Sequence, residues 1–343
     1  MENRSPLALV AVLIISLLAG LSGGYVWYWN QLADGMQDGL KIWLGQRRAE
    51  GFVAENGPVN VSGFPWSVEA TIARLELGRA NKGEPGYWHW SAQDIATIQS
   101  PLKPWRIHVT TSAPQRTEFT DKSGTVRDLT TAAQTTKGKI DIANNGRLAA
   151  LDVRFDGLAL SGSALVGPVL AGHLTAQVNL LQETKIDLQA DQVQLPKNIA
   201  PLFGVLVEVI RLQATITGPL PRSWSQGPIV AWRDAGGTVD FTRTRIKWGN
   251  LDATALGTLT LDNRLRPLGS GTASFRDHDK TIRSLADRGL ITPLNAAGLT
   301  IGLNMLGKEV NGSITVPVTA QGGNLTIGSF SAARLKPLQI PAD

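Results

Sequence analysis

The hydrophobic pattern changes character twice along the chain. Leu7 to Trp29 is a run of twenty-three residues without a charged side chain, ending in Tyr25, Trp27, Tyr28 and Trp29. Leu32, Met36, Leu40 and Trp43 then recur at helical spacing with polar residues between them, which predicts an amphipathic helical continuation to about Gly51. From Gly51 the period becomes two. Val68, Ala70 and Ile72 alternate with polar neighbours, as do Leu151, Val153 and Phe155, and Ile186, Leu188 and Ala190. In each case the phase slips by one residue, to Leu75 and Leu77, to Leu158 and Leu160, and to Val193 and Leu195. A slip moves side chains to the opposite face, so these strands are expected to carry bulges and bends.

Further strands are expected at Trp105–Thr110, Gly138–Ala143, His173–Leu180 and Leu212–Leu220. Gly257–Asp262 and Gly271–Phe275 flank a turn at Asp262-Asn263-Arg264 and read as a hairpin. Ile314, Val316 and Val318 alternate around Pro317, which has no N–H for a ladder, so an edge strand or bulge is expected there. Short helices are expected over Arg222–Ala235, packing Trp224 and Trp232, and around Ile282, Leu285, Ala286 and Leu290. Another starts at Thr292-Pro293, with Leu294, Ala297, Ile301 and Met305 on one side and Gly307 at its end. Leu202–Ile210 is apolar nearly all round and fits either a buried helix or a strand. Asn81–Gly86 and Ala113–Thr125 read as long polar loops. The expected class is mainly β with a few helices (α+β): an N-terminal transmembrane helix, then a long, curved antiparallel sheet forming a groove or an open barrel-like domain.

A hydrocarbon core about 30 Å thick needs about 20 apolar residues of helix. Residues 7–29 meet that length, and their aromatic end suits the bilayer–water boundary. A cleaved signal built on Arg4, Leu7–Leu21, Gly20 and Ser22 is the alternative; the run continues past any such cut, which favours a retained anchor. The expected organisation is a cytoplasmic tail 1–6, an anchor 7–29, an amphipathic helix 30–50 and a β-rich exported domain 51–343, which makes the chain a single-pass membrane protein. The charge of +5 is unchanged without residues 1–29, because Glu2 and Arg4 cancel. It is spread along the chain, and no nucleic-acid partner is expected. The chain has no cysteine, so no disulfide can form.

Several residue groups carry a family resemblance. Gly51-Phe52, Val59–Val61 and Gly63-Phe64-Pro65 open it. Trp232, Gly236-Gly237, Trp248-Gly249, Gly257–Asp262 and Arg266–Gly269 continue it, and Gly323–Ile327, Leu335 and Pro337 close it. The sequence resembles an uncharacterised "domain of unknown function" family of single-anchor envelope proteins from alphaproteobacteria. It is more distantly similar to AsmA-like envelope proteins, whose curved sheets are thought to carry lipids. The resemblance implies an inner-membrane anchor with a periplasmic β domain, and supplies no activity or catalytic residue.

The chemistry is sparse. The four histidines, at 89, 108, 173 and 278, are widely separated, and no metal-ligand spacing occurs. Asp277-His278-Asp279 is dense in ionisable groups but precedes a helical pattern, where Asp commonly caps. No phosphate loop or dinucleotide fingerprint is present. Catalytic, cofactor and metal residues are therefore expected to be none. Arg243, Arg245 and Lys247 would share one strand face, as a cationic strip or a solvated surface. Trp88-His89-Trp90 would either edge a ligand mouth or pack, and Gly63-Phe64-Pro65 would form a structural turn or a binding lip. The expected function is a non-enzymatic, membrane-anchored envelope protein that binds or shields lipid in an apolar groove; a structural module binding another envelope protein is the alternative. Val153, Phe155, Ile186 and Leu188 are the candidate lipid-facing residues. The expected partners are the bilayer through the N-terminal helix, a phospholipid or acyl chain, and an envelope protein.

Overall fold

A helix that must rest on a sheet buries one stripe, and the first element does so. In the computed structural model, α1 runs unbroken over Pro6–Ala49. The structure describes residues 6–340 apart from positions 80, 85, 182, 200–201, 219, 222–224, 311 and 329. The side chains of 6–12 also lie outside that description, as does the expected tail 1–6 save for Pro6. Among the described residues no helix is long and apolar enough to cross a membrane. The expected span 7–29 is covered only in part by that statement.

Nineteen strands and four α-helices are described, nearly all of the strand pairing antiparallel between neighbours. The β-rich stretch, expected as one region, divides into two compact units with the boundary after Asp128.

In unit 1, β1 (Phe52–Asn56) and β2 (Val59–Ser62) lie end to end along β3 (Val68–Arg79), interrupted at Gly57-Pro58. β4 (Trp88–Ser100) pairs with β3, and its other edge carries β5 (Lys103–Thr111) and β6 (Gln115–Thr120) end to end. Ile72, Ala92 and Ile95 form the core, with Leu40 of α1, Val59, Leu75, Trp90 and Val109 against it. The expected slip after Ile72 is present. It is made by left-handed Asp94 on the partner strand, within a register that runs on from Ile72↔Ile95 to Arg74↔Gln93.

Two expectations for unit 1 are corrected. Trp43 is 38% exposed while Leu44 is 1% exposed, so the buried stripe passes through Ala33, Leu40 and Leu44. One residue is a 100° step around a helix, and contact with β1 and β3 decided between two adjacent apolar residues. Ala113–Thr125 contains β6, whose polar residues are held because Arg116–Phe119 ladder onto Trp88–Ser91.

Unit 2 is a meander. β7 (Val126–Ala132) crosses the boundary; β8 (Thr135–Ile142), β9 (Leu148–Ser161), β10 (Val169–Asn179), β11 (Thr184–Gln194) and β12 (Leu206–Thr217) follow. After α2 (Gln226–Asp234) come β13 (Thr238–Trp248), β14 (Leu251–Leu261) and β15 (Pro267–Arg276). Helices α3 (His278–Asp287) and α4 (Pro293–Leu306) precede β16 (Lys308–Val310), β17 (Ser313–Gln321), β18 (Asn324–Ile327) and β19 (Phe330–Arg334). From β8 to β15 each strand pairs with the next in sequence.

The expected slips in β9 and β11 fall at left-handed Gly157 and Gln192. Neither breaks the register between β9, β10, β11 and β12, so no extra residue is inserted. Gly157 is favoured by its positive φ; a Cβ there would lie 2.7 Å from the flexible end of the Gln134 side chain, which can move aside. A true bulge occurs in β13, where Thr242 is unmatched between Gln213↔Arg243 and Ala214↔Phe241. It moves the inward phase from Val239 and Phe241 to Ile246 and Trp248.

The expected hairpin is β14–β15, and Asp262 holds its turn. The carboxylate accepts from the backbone N–H groups of Arg264 (2.8 Å) and Arg266 (2.9 Å), and from Arg266 Nε (2.8 Å). Pro317 is in neither an edge strand nor a bulge. β17 is flanked by β15 on one side and by β16 and β18 on the other. Gly328 N–H donates to Pro317 O, so the proline's missing donor faces the break between β16 and β18. Of the Leu202–Ile210 stretch, Leu206 onward is strand. Trp224 lies outside the described residues. Trp232 is buried and donates to Thr217 O at 2.9 Å.

Thr292 caps α4 as expected, accepting from Asn295 N–H at 3.2 Å. The side grouped from sequence is the outer one: Leu294, Ile301 and Met305 are exposed, and Leu303, Leu299 and Ala296 pack against Ile282, Ile314 and Val316. α4 is apolar around most of its circumference, so periodicity had little to select from.

Candidate functional site

Alternation in strands sends residues i and i+2 to one face. Unit 2 thereby acquires one apolar and one polar face. Val153, Ala176, Leu188 and Leu212 form one cross-strand row, and Ile186, Ala214 and Phe241 another. Phe155, Leu174, Ala190 and Ile210 form a third. The four candidate residues therefore share a face, and all are half-buried. Val153 and Leu212, three strands apart, stand roughly 14 Å from each other along the row at about 4.8 Å per strand.

The apolar concavities lie farther along this face. One, about 240 Å³, is lined by Ile216, Ile229, Trp232, Val239, Phe241 and Leu259 among others. The next, about 360 Å³, is lined by Leu212, Phe241, Ala255, Leu259, Val318 and Leu325 among others. They share Phe241, Leu259 and Pro267, so they are contiguous. A third, about 620 Å³, lies beneath α3 and α4 between Phe275, Ile282, Leu285, Leu299, Leu303 and Ile327. Glycine shapes the second: Gly257 faces Gly271 across β14–β15, and a Cβ at Gly271 would lie 2.7 Å from the Gly257 Cα. No candidate residue borders these three concavities, although Leu188 and Ile186 are in register with Leu212 and Phe241. Following the register-matched apolar positions from strand to strand as one face, odd-numbered in β9, even-numbered in β10 to β12 and odd-numbered again at Phe241 and Leu259, would have found them.

The opposite face is a lattice of paired polar groups. Gln213 and Gln189 donate to Asp187 at 2.6 and 3.1 Å, and Arg211 pairs with Asp191 at 2.6 Å. Arg245 makes a two-pronged contact with Asp252, at 3.1 and 3.0 Å. The expected cationic strand face exists, with at least Arg245 engaged in an internal pair. Asp156 joins three strands: His173, Thr135 and Arg154 hydrogen-bond to its carboxylate and hold its pKa down at about 2. Burial pushes the Asp262 carboxyl up, but the Arg266 side chain and the backbone N–H groups of Arg266 and Arg264 outweigh it and keep the pKa below its usual value.

A pH dependence follows from Asp156. A carboxylate whose folded pKa is depressed contributes stability above its unfolded value near 3.8, and that contribution is lost as pH falls through about 2. Thermal midpoints measured from pH 7 to pH 2 should show Asp156→Asn less stable at neutral pH, with a smaller further loss between pH 4 and 2 than the parent.

Of Asp277, His278 and Asp279, the histidine lines the third concavity and meets Asp279 at 3.3 Å, while neither aspartate lines it. Asp277 occupies the N-cap of α3 without a side-chain cap bond and contacts Lys280, while His278 meets Asn304 at 3.1 Å. No group of three metal-ligating side chains occurs among the described residues. Trp90 packs on the unit 1 core, its Nε1 donating to Gln115, and the Trp88 ring lies 6.1 Å from Phe52.

Gly63-Phe64-Pro65, with a cis Phe64–Pro65 bond, packs on the aromatic end of the uncharged run. Phe64 meets Trp29 edge-on at 5.4 Å and Tyr25 at 6.3 Å. Tyr25 donates to Pro65 O, Trp29 Nε1 to Ser67 O at 2.8 Å, and Tyr28 to Pro101 O at 2.8 Å.

A family model described as an uncharacterized protein conserved in bacteria (DUF2125) matches residues 29–336. The chain belongs to this family. The DUF2125 match begins at Trp29, the last ring of the aromatic collar formed by Tyr25, Trp27, Tyr28 and Trp29, and takes in most of both units. No curated protein and no solved structure matches the chain.

Proposed function

We propose that this DUF2125 protein is a non-enzymatic envelope protein, anchored in the inner membrane by residues 7–29, that holds an acyl chain in the apolar trough of unit 2. The reading takes residues from about 31 onward as periplasmic and keeps the distant likeness to AsmA-like proteins as part of it. The observation that carries it is the contiguous pair of apolar concavities meeting at Phe241, Leu259 and Pro267, on a face continuous with Leu188 and Val153. Each Å² of apolar surface removed from water contributes about 25 cal/mol, so an acyl chain laid there is favourable. Roughly 300–1,000 Å³ is usual for small-ligand sites, and two of the three concavities fall in that range.

Ala255 tests this directly, because it lines the second concavity yet is exposed, so a substitution leaves packing largely intact. Native mass spectrometry of the full chain released from detergent should find phospholipid or fatty acid bound, and Ala255→Asp should strip it. Equal occupancy in a folded Ala255→Asp variant, or a lipid-free parent, would end the lipid reading and leave the partner-binding module in its place.

A further inference from the structure

We propose that unit 1 makes a second contact with the bilayer: the loop at 63–67 and the β4–β5 turn at 101–102, with Trp105 just beyond it, form an aromatic lip seated in the lipid headgroup layer beside α1. This rests on reading 7–29 as the anchor. At 1.5 Å per residue those twenty-three residues make about 34 Å of helix, which places Tyr25 to Trp29 at the boundary of a hydrocarbon core about 30 Å thick.

The hydrogen bonds of Tyr25, Tyr28 and Trp29 tie both loops to that height on the helix. The loop side chains that do not pack inward are large and apolar. Trp66 is 86% exposed and Leu102 is 83% exposed, and Phe64, Trp27 and Trp105 are exposed as well. Exposed aromatic rings clustered at one level are costly in water and favoured at the bilayer interface.

Charge agrees with a membrane surface as the occupant. Residues 62–68 contain no ionisable side chain, and in 100–106 the charged residues are Lys103 and Arg106. Glu69, just beyond the first loop, has its carboxylate engaged by the Ser67 hydroxyl at 2.7 Å, and the exposed Lys103 beside the second is attracted to anionic headgroups. Polar Tyr hydroxyls and the Trp29 N–H are meanwhile satisfied by loop carbonyls, so the collar carries no unmet donor at these atoms into the interface. The two loops and the helix give unit 1 more than one attachment, which restricts how it stands on the membrane.

The absence of cysteine allows a clean test. Trp66→Cys, Leu102→Cys and Lys122→Cys, the last in an exposed turn away from the lip, are each labelled with an environment-sensitive nitrobenzoxadiazole dye on the full chain. The proteins are reconstituted into phosphatidylethanolamine–phosphatidylglycerol vesicles. Labels at 66 and 102 should shift to the blue and be quenched several-fold more strongly by headgroup-region spin-labelled lipid than the label at 122. If 66 and 102 match 122 in protein that resists alkaline extraction, the lip is wrong and the anchor stands. Release of the protein by the alkaline wash overturns both.

Discussion

Leu44→Asp should lower the thermal midpoint of the protein by roughly 10 °C, the largest loss expected for a single change in unit 1. Leu44 is 1% exposed, in the part of α1 that lies on β1 and β3. The substitution removes a packed side chain and puts a carboxylate in a buried position, a combined cost of about 4 kcal/mol. Trp43→Asp, one residue away on the exposed side, should change stability by about 0.5 kcal/mol or less. Denaturant titration of the two variants in detergent checks the contrast. Equal effects would mean that the helix is rotated from the orientation described.

Trp232→Ala should be the comparable lesion in unit 2, costing about 3–5 kcal/mol. The indole is buried, bonds to Thr217 O, and covers Gly237 so closely that a Cβ there would overlap the ring. Removing it also opens one wall of the 240 Å³ concavity, so the variant should lose amide protection across α2, β12 and β13. Hydrogen exchange that is unchanged in those elements would show that the ring is not what holds α2 to the sheet.

Much of this fold was written in residue parity. The slips after Ile72, Phe155 and Ala190 could be located because an apolar phase cannot change face unnoticed, and Asp262 marked its hairpin through the turn chemistry of Asp followed by Asn. What parity could not supply was the mechanism. The expected bulges are left-handed residues in intact register, and the true bulge at Thr242 lay hidden behind the alternating cations of β13. α4 offered no contrast between its sides, and adjacent Trp43 and Leu44 differed only in which met β1 and β3. The boundary after Asp128 carries no linker composition to mark it. The four candidate residues could be grouped on one face because alternation fixes faces locally. Phe241, Leu259 and Trp232 were missed because concavity depends on how strands bend and on where α2 lies, and both are set by contacts distant in sequence.

The meander of unit 2 has a consequence for the order of assembly. From β8 to β15 no strand waits for a partner distant in the chain, so each closure spans one short turn or one small helix. Loop-closure entropy stays small at every step, and contact order stays low for so large a sheet. The sheet can therefore lengthen one hairpin at a time behind the point where the chain emerges, each completed strand offering the next its template.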